Sequence, residues 1–259
     1  MNRARLWIAV LILLMATAGF ASGPAVGKNE VWVRGQEQYV YWVPAKGAKR
    51  LGPVLYLPGD GGWHGLAIKM ADTMASWGYD VYGVDTRRYL MSLGGNSPLA
   101  DKDIAGDLRQ LMEFSNGGSH AKFAVTGWSE GAGLCLVLAA SPESQAKVRG
   151  VIGIGVPEKN IRALKWSDLL AQIRKVTPDE PVFESADYVG RISPIPLAMI
   201  QSTGDEYASV ETSQRIFLKA RDPKKFTLID ADNHHFDRNQ DQLFEKIREA
   251  LQWIDEQSH

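Results

Sequence analysis

Three observations predict an α/β fold with a mostly parallel central sheet and helices on both faces. Short apolar runs alternate with helical stretches along the chain, as strands alternate with their crossover helices. Two of these runs end in glycine-rich turns, Pro58-Gly59-Asp60-Gly61-Gly62 and Gly127-Trp128-Ser129-Glu130-Gly131. Such turns, outside the carboxyl ends of parallel strands, are where these sheets carry their chemistry. The 259 residues, 45% hydrophobic and 23% charged, suit one large globular domain.

The chain opens with a targeting pattern. Arg3 and Arg5 precede an apolar run over 6–15, and the small residues Ala16-Thr17-Ala18 and Gly19-Phe20-Ala21 follow. This reads as a secretory signal peptide over 1–21, with cleavage expected after Ala21, within a few residues, and 22–259 as the mature domain. The run is short for a membrane span of about 20 residues, so export is favoured over anchoring. No cysteine follows it to carry a lipid anchor. The periplasm is the expected compartment, or secretion. The one cysteine, Cys135, cannot form an internal disulfide and lies in an apolar run, which suits a small buried side chain. A net charge of −1 supplies no basic surface for nucleic acid.

In the mature chain, 31–34 and 38–43 read as two short strands, an antiparallel hairpin at one sheet edge. A buried strand at 54–57 stops at Pro58, and 66–77 is helical. Strand 80–84 leads to a helix at 101–114, whose acidic first turns suit the positive end of the helix dipole. Strand 122–126, a strongly apolar helix at 131–140 and strand 148–155 follow. The last strands are 197–201 and 225–229, and an amphipathic helix at 243–254 closes the chain. Between Gly155 and Pro196 lies one helical stretch, 161–173, and then proline-containing acidic sequence. So long a loop is unusual inside a compact domain. It is read as a small lid over 156–195, or as an ordinary crossover helix with a long surface loop.

Gly127-Trp128-Ser129-Glu130-Gly131 fits G-x-S-x-G, with a β-rich run before it and a helix after it. That is the context of a nucleophile elbow, which makes Ser129 the candidate nucleophile. Its flanking glycines are needed because a Cβ there would strike the neighbouring strand or helix. A serine hydroxyl needs a base. The five histidines are His64, His120, His234, His235 and His259. The order nucleophile, acid, base leaves the pair His234-His235 after the last strand. His234 is taken as base, and His235 as a rim residue. The acid belongs after strand 197–201, where Asp205 follows a Gly204 turn; Glu206 is the alternative. Asp230 and Asp232 lie too near the histidines along the chain. The backbone N–H of Glu130, with that of Asp60 or Gly61, would form an oxyanion hole. Trp63, Trp128 and Trp166 are candidates to line a substrate pocket. This chemistry calls for no metal and no organic cofactor.

With these residues placed, the chain resembles the α/β-hydrolase superfamily over nearly its whole mature length. Two stretches resemble the bacterial virulence proteins VirJ and AcvB. One is Pro58-Gly59-Asp60-Gly61-Gly62-Trp63 with Gly83-Val84-Asp85-Thr86-Arg87-Arg88-Tyr89; the other is His234-His235-Phe236-Asp237. The resemblance implies a periplasmic ester hydrolase. For AcvB-like members it implies an aminoacylated phospholipid, lysyl-phosphatidylglycerol, as substrate, and with it contact with a membrane surface. The elbow departs from the family's usual Gly-Tyr-Ser-Phe-Gly-Ala at Trp128 and Glu130. Arg88 is a candidate to pair with an anionic substrate group such as a lipid phosphate; a salt bridge to Asp85 or Asp107 is its structural alternative. A small-molecule or lipid ester is the expected substrate. A peptidase or amidase on the same fold, and a non-catalytic exported binding protein, are the other readings.

Overall fold

The computed structural model describes residues 24–47, 50–93, 99–164 and 182–257. The signal segment, Trp166 and most of the expected 161–173 helix lie outside them. Strands β1 (Gly27–Val33) and β2 (Gln36–Val43) pair antiparallel, Val33 facing Gln36. Their two-residue turn, Arg34-Gly35, has positive φ at both positions, the twist that suits a tight hairpin. The sheet continues through β3 (Gly52–Leu57), β4 (Tyr79–Val84), β5 (Phe123–Trp128) and β6 (Val148–Ile154). A two-stranded ribbon, β7 (Lys159–Ile161) and β8 (Val182–Glu184), stands apart from it. Strands β9 (Leu197–Ser202) and β10 (Lys224–Ile229) complete an eight-stranded sheet in the order β1-β2-β4-β3-β5-β6-β9-β10. All pairings from β4 to β10 are parallel.

Alternation along β3 shows how the layers form. Val54 and Tyr56 pack with Ala67, Met70 and Met74 of helix α1 (Leu66–Ser76) and with the last helix. Leu55 and Leu57 face the other way, with Tyr89 of α2 (Thr86–Ser92), Leu108 and Leu111 of α3 (Asp101–Asn116), and the helix after Ser129. That helix, α4 (Glu130–Ala140), is buried at every position from Gly131 to Ala140 and has no solvent face. A short turn of helix, α5 (Pro142–Gln145), follows it. Helices α6 (Val210–Lys219) and α7 (Gln240–Gln257) come last. Among the described residues no helix is long and apolar enough to cross a membrane.

The expected strands and the four longer helices are present within a few residues. The segment after β6 differs. Ile161 ends strand β7 instead of opening a helix, because Val182 pairs opposite it and the Glu130 carboxylate accepts its N–H at 3.0 Å. The buried Asn160 of the ribbon sits over Gly133 of α4, where a Cβ would come within 1.7 Å of Asn160 Oδ1. Helices α2, α5 and α6 are additional to the expected set. Two of them have the N-terminus capped by the side chain before it, Asp85 accepting from Arg88 N–H in α2 and Ser209 from Thr212 N–H in α6.

Candidate active site

The tips of five adjacent strands, β3, β5, β6, β9 and β10, carry the site. Hydrogen bonds run on past the strand ends: Ser129 N–H to Ile154 O, Gly155 N–H to Ile200 O and Thr203 N–H to Ile229 O, each 2.9 Å. The loops bearing the candidate residues are therefore extensions of the sheet itself.

Ser129 lies between β5 and α4 with φ 55° and ψ −128°. A side chain in this region is strained and is held there by its surroundings. The sequence supplies them. A Cβ on Gly127 would meet Gly131 O at 2.4 Å, and one on Gly131 would meet Leu57 O at 2.0 Å. Only glycine lets the turn close this tightly.

His234 and Asp205 come together as expected. Nδ1 of His234 is 2.7 Å from Asp205 Oδ2, and both side chains are buried. Asp205 Oδ1 accepts the backbone N–H of Tyr207 and of Ala208, each at 2.9 Å. Burial works against a charged Asp205, but the hydrogen bond and charge of His234 and these two N–H groups outweigh it. The carboxyl is held below its ordinary range. Nε2 of His234 is buried and has no hydrogen-bond partner among the described residues. The ring is backed by Gly155, at φ 55°, where a Cβ would come within 2.7 Å of His234 Cε1. The histidine loop is built locally: Asn233 Oδ1 accepts from His235 N–H and Asp237 N–H, and the buried Phe236 plugs the loop into the core. Glu206, the alternative acid, instead accepts the backbone N–H of His234 at 2.8 Å.

Ser129, His234, His235 and Trp128 line one cavity of about 820 Å³ with Asp60, Gly61 and Glu130. The loop after β3 presses on the nucleophile, a Cβ on Gly59 lying 3.3 Å from Ser129 Cβ. As the first residue of α4, Glu130 presents an N–H that has no acceptor within the helix. Burial, the largest influence, and the nearby Asp60 raise its side-chain carboxyl to about 8 against the opposing hydrogen bond from Ile161. Trp128 stacks on His234 at 5.7 Å, and the exposed His235 meets its edge at 5.2 Å. Sequence reasoning missed Tyr207, Lys159 and Pro157, which also line the cavity. Tyr207 is 74% exposed, with its ring edge-on to His234. Its place two residues after Asp205 was the one signal for it.

Two expected substrate contacts go elsewhere. Arg88 does not line this cavity. Its guanidinium binds Glu37, Nε to the carbonyl at 2.7 Å and one Nη to the carboxylate at 2.6 Å, and lies over the Tyr39 ring. Glu37 is brought there by β2 pairing with β4. Asp85 receives only the backbone N–H of Arg88, and Asp107 is engaged by Tyr89 and Arg34. Trp63 is a cover for the sheet: it stacks on Tyr41 at 4.7 Å and fills the space over Gly83, where a Cβ would lie 1.8 Å from its ring.

Residues 53–254 match the family model described as bacterial virulence protein (VirJ). Among curated protein sequences none matches. Several solved structures do. Est1E from Butyrivibrio proteoclasticus aligns with a TM-score of 0.64 at 12% identity, over 88% of this chain and 98% of that one. The alpha/beta hydrolase GrgF from Penicillium sp. sh18 aligns with a TM-score of 0.65 at 14% identity, over 88% and 98%. A soluble variant of monoglyceride lipase from Saccharomyces cerevisiae aligns with a TM-score of 0.63 at 14% identity, over 94% and 100%. At these identities the likeness is one of fold.

Proposed function

The chain belongs to the VirJ family of bacterial virulence proteins and has the α/β-hydrolase fold; from that premise we propose that it is an exported serine hydrolase cleaving carboxylic esters. Ser129 Oγ attacks the ester carbonyl while His234 Nε2 takes its proton. The tetrahedral intermediate collapses, His234 returns the proton to the leaving alcohol, and an acyl-enzyme remains. Water then gives a proton to His234 as its oxygen bonds to the acyl carbon; the second intermediate collapses, His234 returns the proton to Ser129 Oγ, and the acid leaves. Asp205 stays ionised throughout, holding the imidazole tautomer and stabilising the imidazolium. The N–H group of Glu130, with that of Asp60 or Gly61, receives the developing oxyanion; one such donor is typically worth on the order of 10²–10³ in kcat.

The observation that carries this reading is the Asp205–His234 hydrogen bond of 2.7 Å beside a serine held at positive φ in the same cavity. A fluorophosphonate probe tests it. Wild-type protein should label and Ser129→Ala should not. Absence of labelling, or labelling that survives the substitution, would return the chain to a binding role. A panel of p-nitrophenyl esters and peptide amides separates an esterase from an amidase, with ester turnover expected.

Among natural substrates, the resemblance to AcvB-like proteins puts an aminoacylated phospholipid first. Release of lysine from lysyl-phosphatidylglycerol vesicles by wild type, and not by Ser129→Ala, is the expected result. Export through the 1–21 signal segment predicts a mature chain that begins at Ser22, readable by mass spectrometry of the periplasmic fraction.

A further inference from the structure

Gln201 is a buried polar residue, 1% exposed, that the mechanism above does not use. It lies on β9, four residues before Asp205. Its Nε2 donates to Asp205 Oδ2 at 2.9 Å and to Ala208 O at 2.8 Å, with a longer contact to Ser202 O at 3.3 Å. Its Oε1 accepts the hydroxyl of the buried Ser213, on α6, at 2.8 Å. The orientation of the amide is not ambiguous. A carboxylate and two carbonyls can only accept, so the nitrogen must face them and the oxygen must face the one hydroxyl.

The carboxylate of Asp205 is then fixed from all sides. Oδ1 takes two backbone N–H groups, and Oδ2 is shared between Gln201 and His234 Nδ1. An ionised carboxylate has about four acceptor sites, and here each is filled. Without the amide, Oδ2 would have one partner and the carboxyl could turn about its Cβ–Cγ bond, taking the imidazole with it.

We infer that Gln201 is a positioning residue of this site, holding Asp205 in the orientation from which it steers His234 and linking that orientation to α6 through Ser213. The inference rests on the triad proposed above. Gln201→Glu is the diagnostic change. It keeps the shape of the side chain but sets two carboxyls around one proton, so its donation to Asp205 depends on that proton. Loss of a hydrogen bond to a charged group translates into a fall in kcat of about 10- to 100-fold.

The experiment measures p-nitrophenyl ester turnover by wild type, Q201E and the volume-matched Gln201→Met across pH 5.5 to 9, with thermal melts of each. For Q201E, the ratio of its kcat to that of wild type should fall as pH rises, with KM within about twofold. For Gln201→Met the ratio should be low at every pH while the fold is retained. A wild-type-like kcat and pH profile in either folded variant would overturn the assignment. So would loss of folded protein in both, since that is a structural role. A readout independent of turnover keeps this separate from the ester-hydrolase reading. The proton resonance of His234 Nδ1–H should move or broaden in Gln201→Met even if wild type hydrolyses nothing, and an unchanged resonance would reject the positioning role by itself.

Discussion

Between about pH 5 and pH 8 the folded protein carries a proton on Glu130 that the unfolded chain has released. The side chain sits at the first position of α4 and reaches the ribbon through Ile161 N–H. Burial chiefly, with Asp60 nearby, raises its ionisation from 4.5 to about 8. An acid whose folded value is raised contributes its full stability below the unfolded value and loses it as pH rises through the folded one. Between those limits the slope is about 1.4 kcal/mol per pH unit, so the cost by pH 8 is on the order of 4 kcal/mol. Glu130→Gln keeps the shape, the backbone N–H and an oxygen that can accept from Ile161, and it does not titrate. Urea unfolding of both proteins at pH 5, 7 and 9 should show near-equal stability at pH 5 and a variant that is several kcal/mol more stable at pH 9. A difference that stays constant within about 0.5 kcal/mol over that range would refute the reasoning, because the subtraction removes every other titrating group.

Other substitutions give further expectations. Asp205→Asn should lower kcat on the order of 10⁴-fold by favouring the wrong imidazole tautomer; a loss under tenfold would move the acid role to another carboxyl, Glu206 first. Gly133→Ala places a methyl 1.7 Å from Asn160 Oδ1 and should cost roughly 1–3 kcal/mol in denaturant melts, with part recovered when Asn160→Ala is added. Arg88→Ala removes the half-exposed pair with Glu37 and should cost less than about 1 kcal/mol. Turnover of neutral and anionic esters by that variant should match wild type; a selective loss on anionic esters would restore Arg88 as a substrate contact.

The parallel strands were legible because both of their faces are covered, which leaves unbroken apolar runs such as 197–200. The order of Ser129, Asp205 and His234 was legible because each follows a strand directly. Helix α6 was not, since only Ser213 and Ile216 of its residues are buried and one of the two is polar. The ribbon was hidden because its strands pair across some twenty residues and are held by contacts with α4 that no local pattern reveals. Arg88 and Trp63 were placed on the correct edge of the sheet but with the wrong neighbours. Their partners Glu37 and Tyr41 come from β2, and only the β2–β4 pairing brings them there. Single positions announce what chemistry they can do; what they touch is decided by tertiary pairing.

The hydrogen bonds that run past the strand tips have a consequence for how the site breathes. The amides of Ser129, Gly155 and Thr203 each close a bond to the next strand. None of these can open without parting β5, β6, β9 and β10 from one another. In deuterated solvent these protons should exchange with the slowest amides of the core, near the rate set by global unfolding. Access to the serine is then governed by side chains at the cavity mouth, and the backbone beneath them is as durable as the sheet.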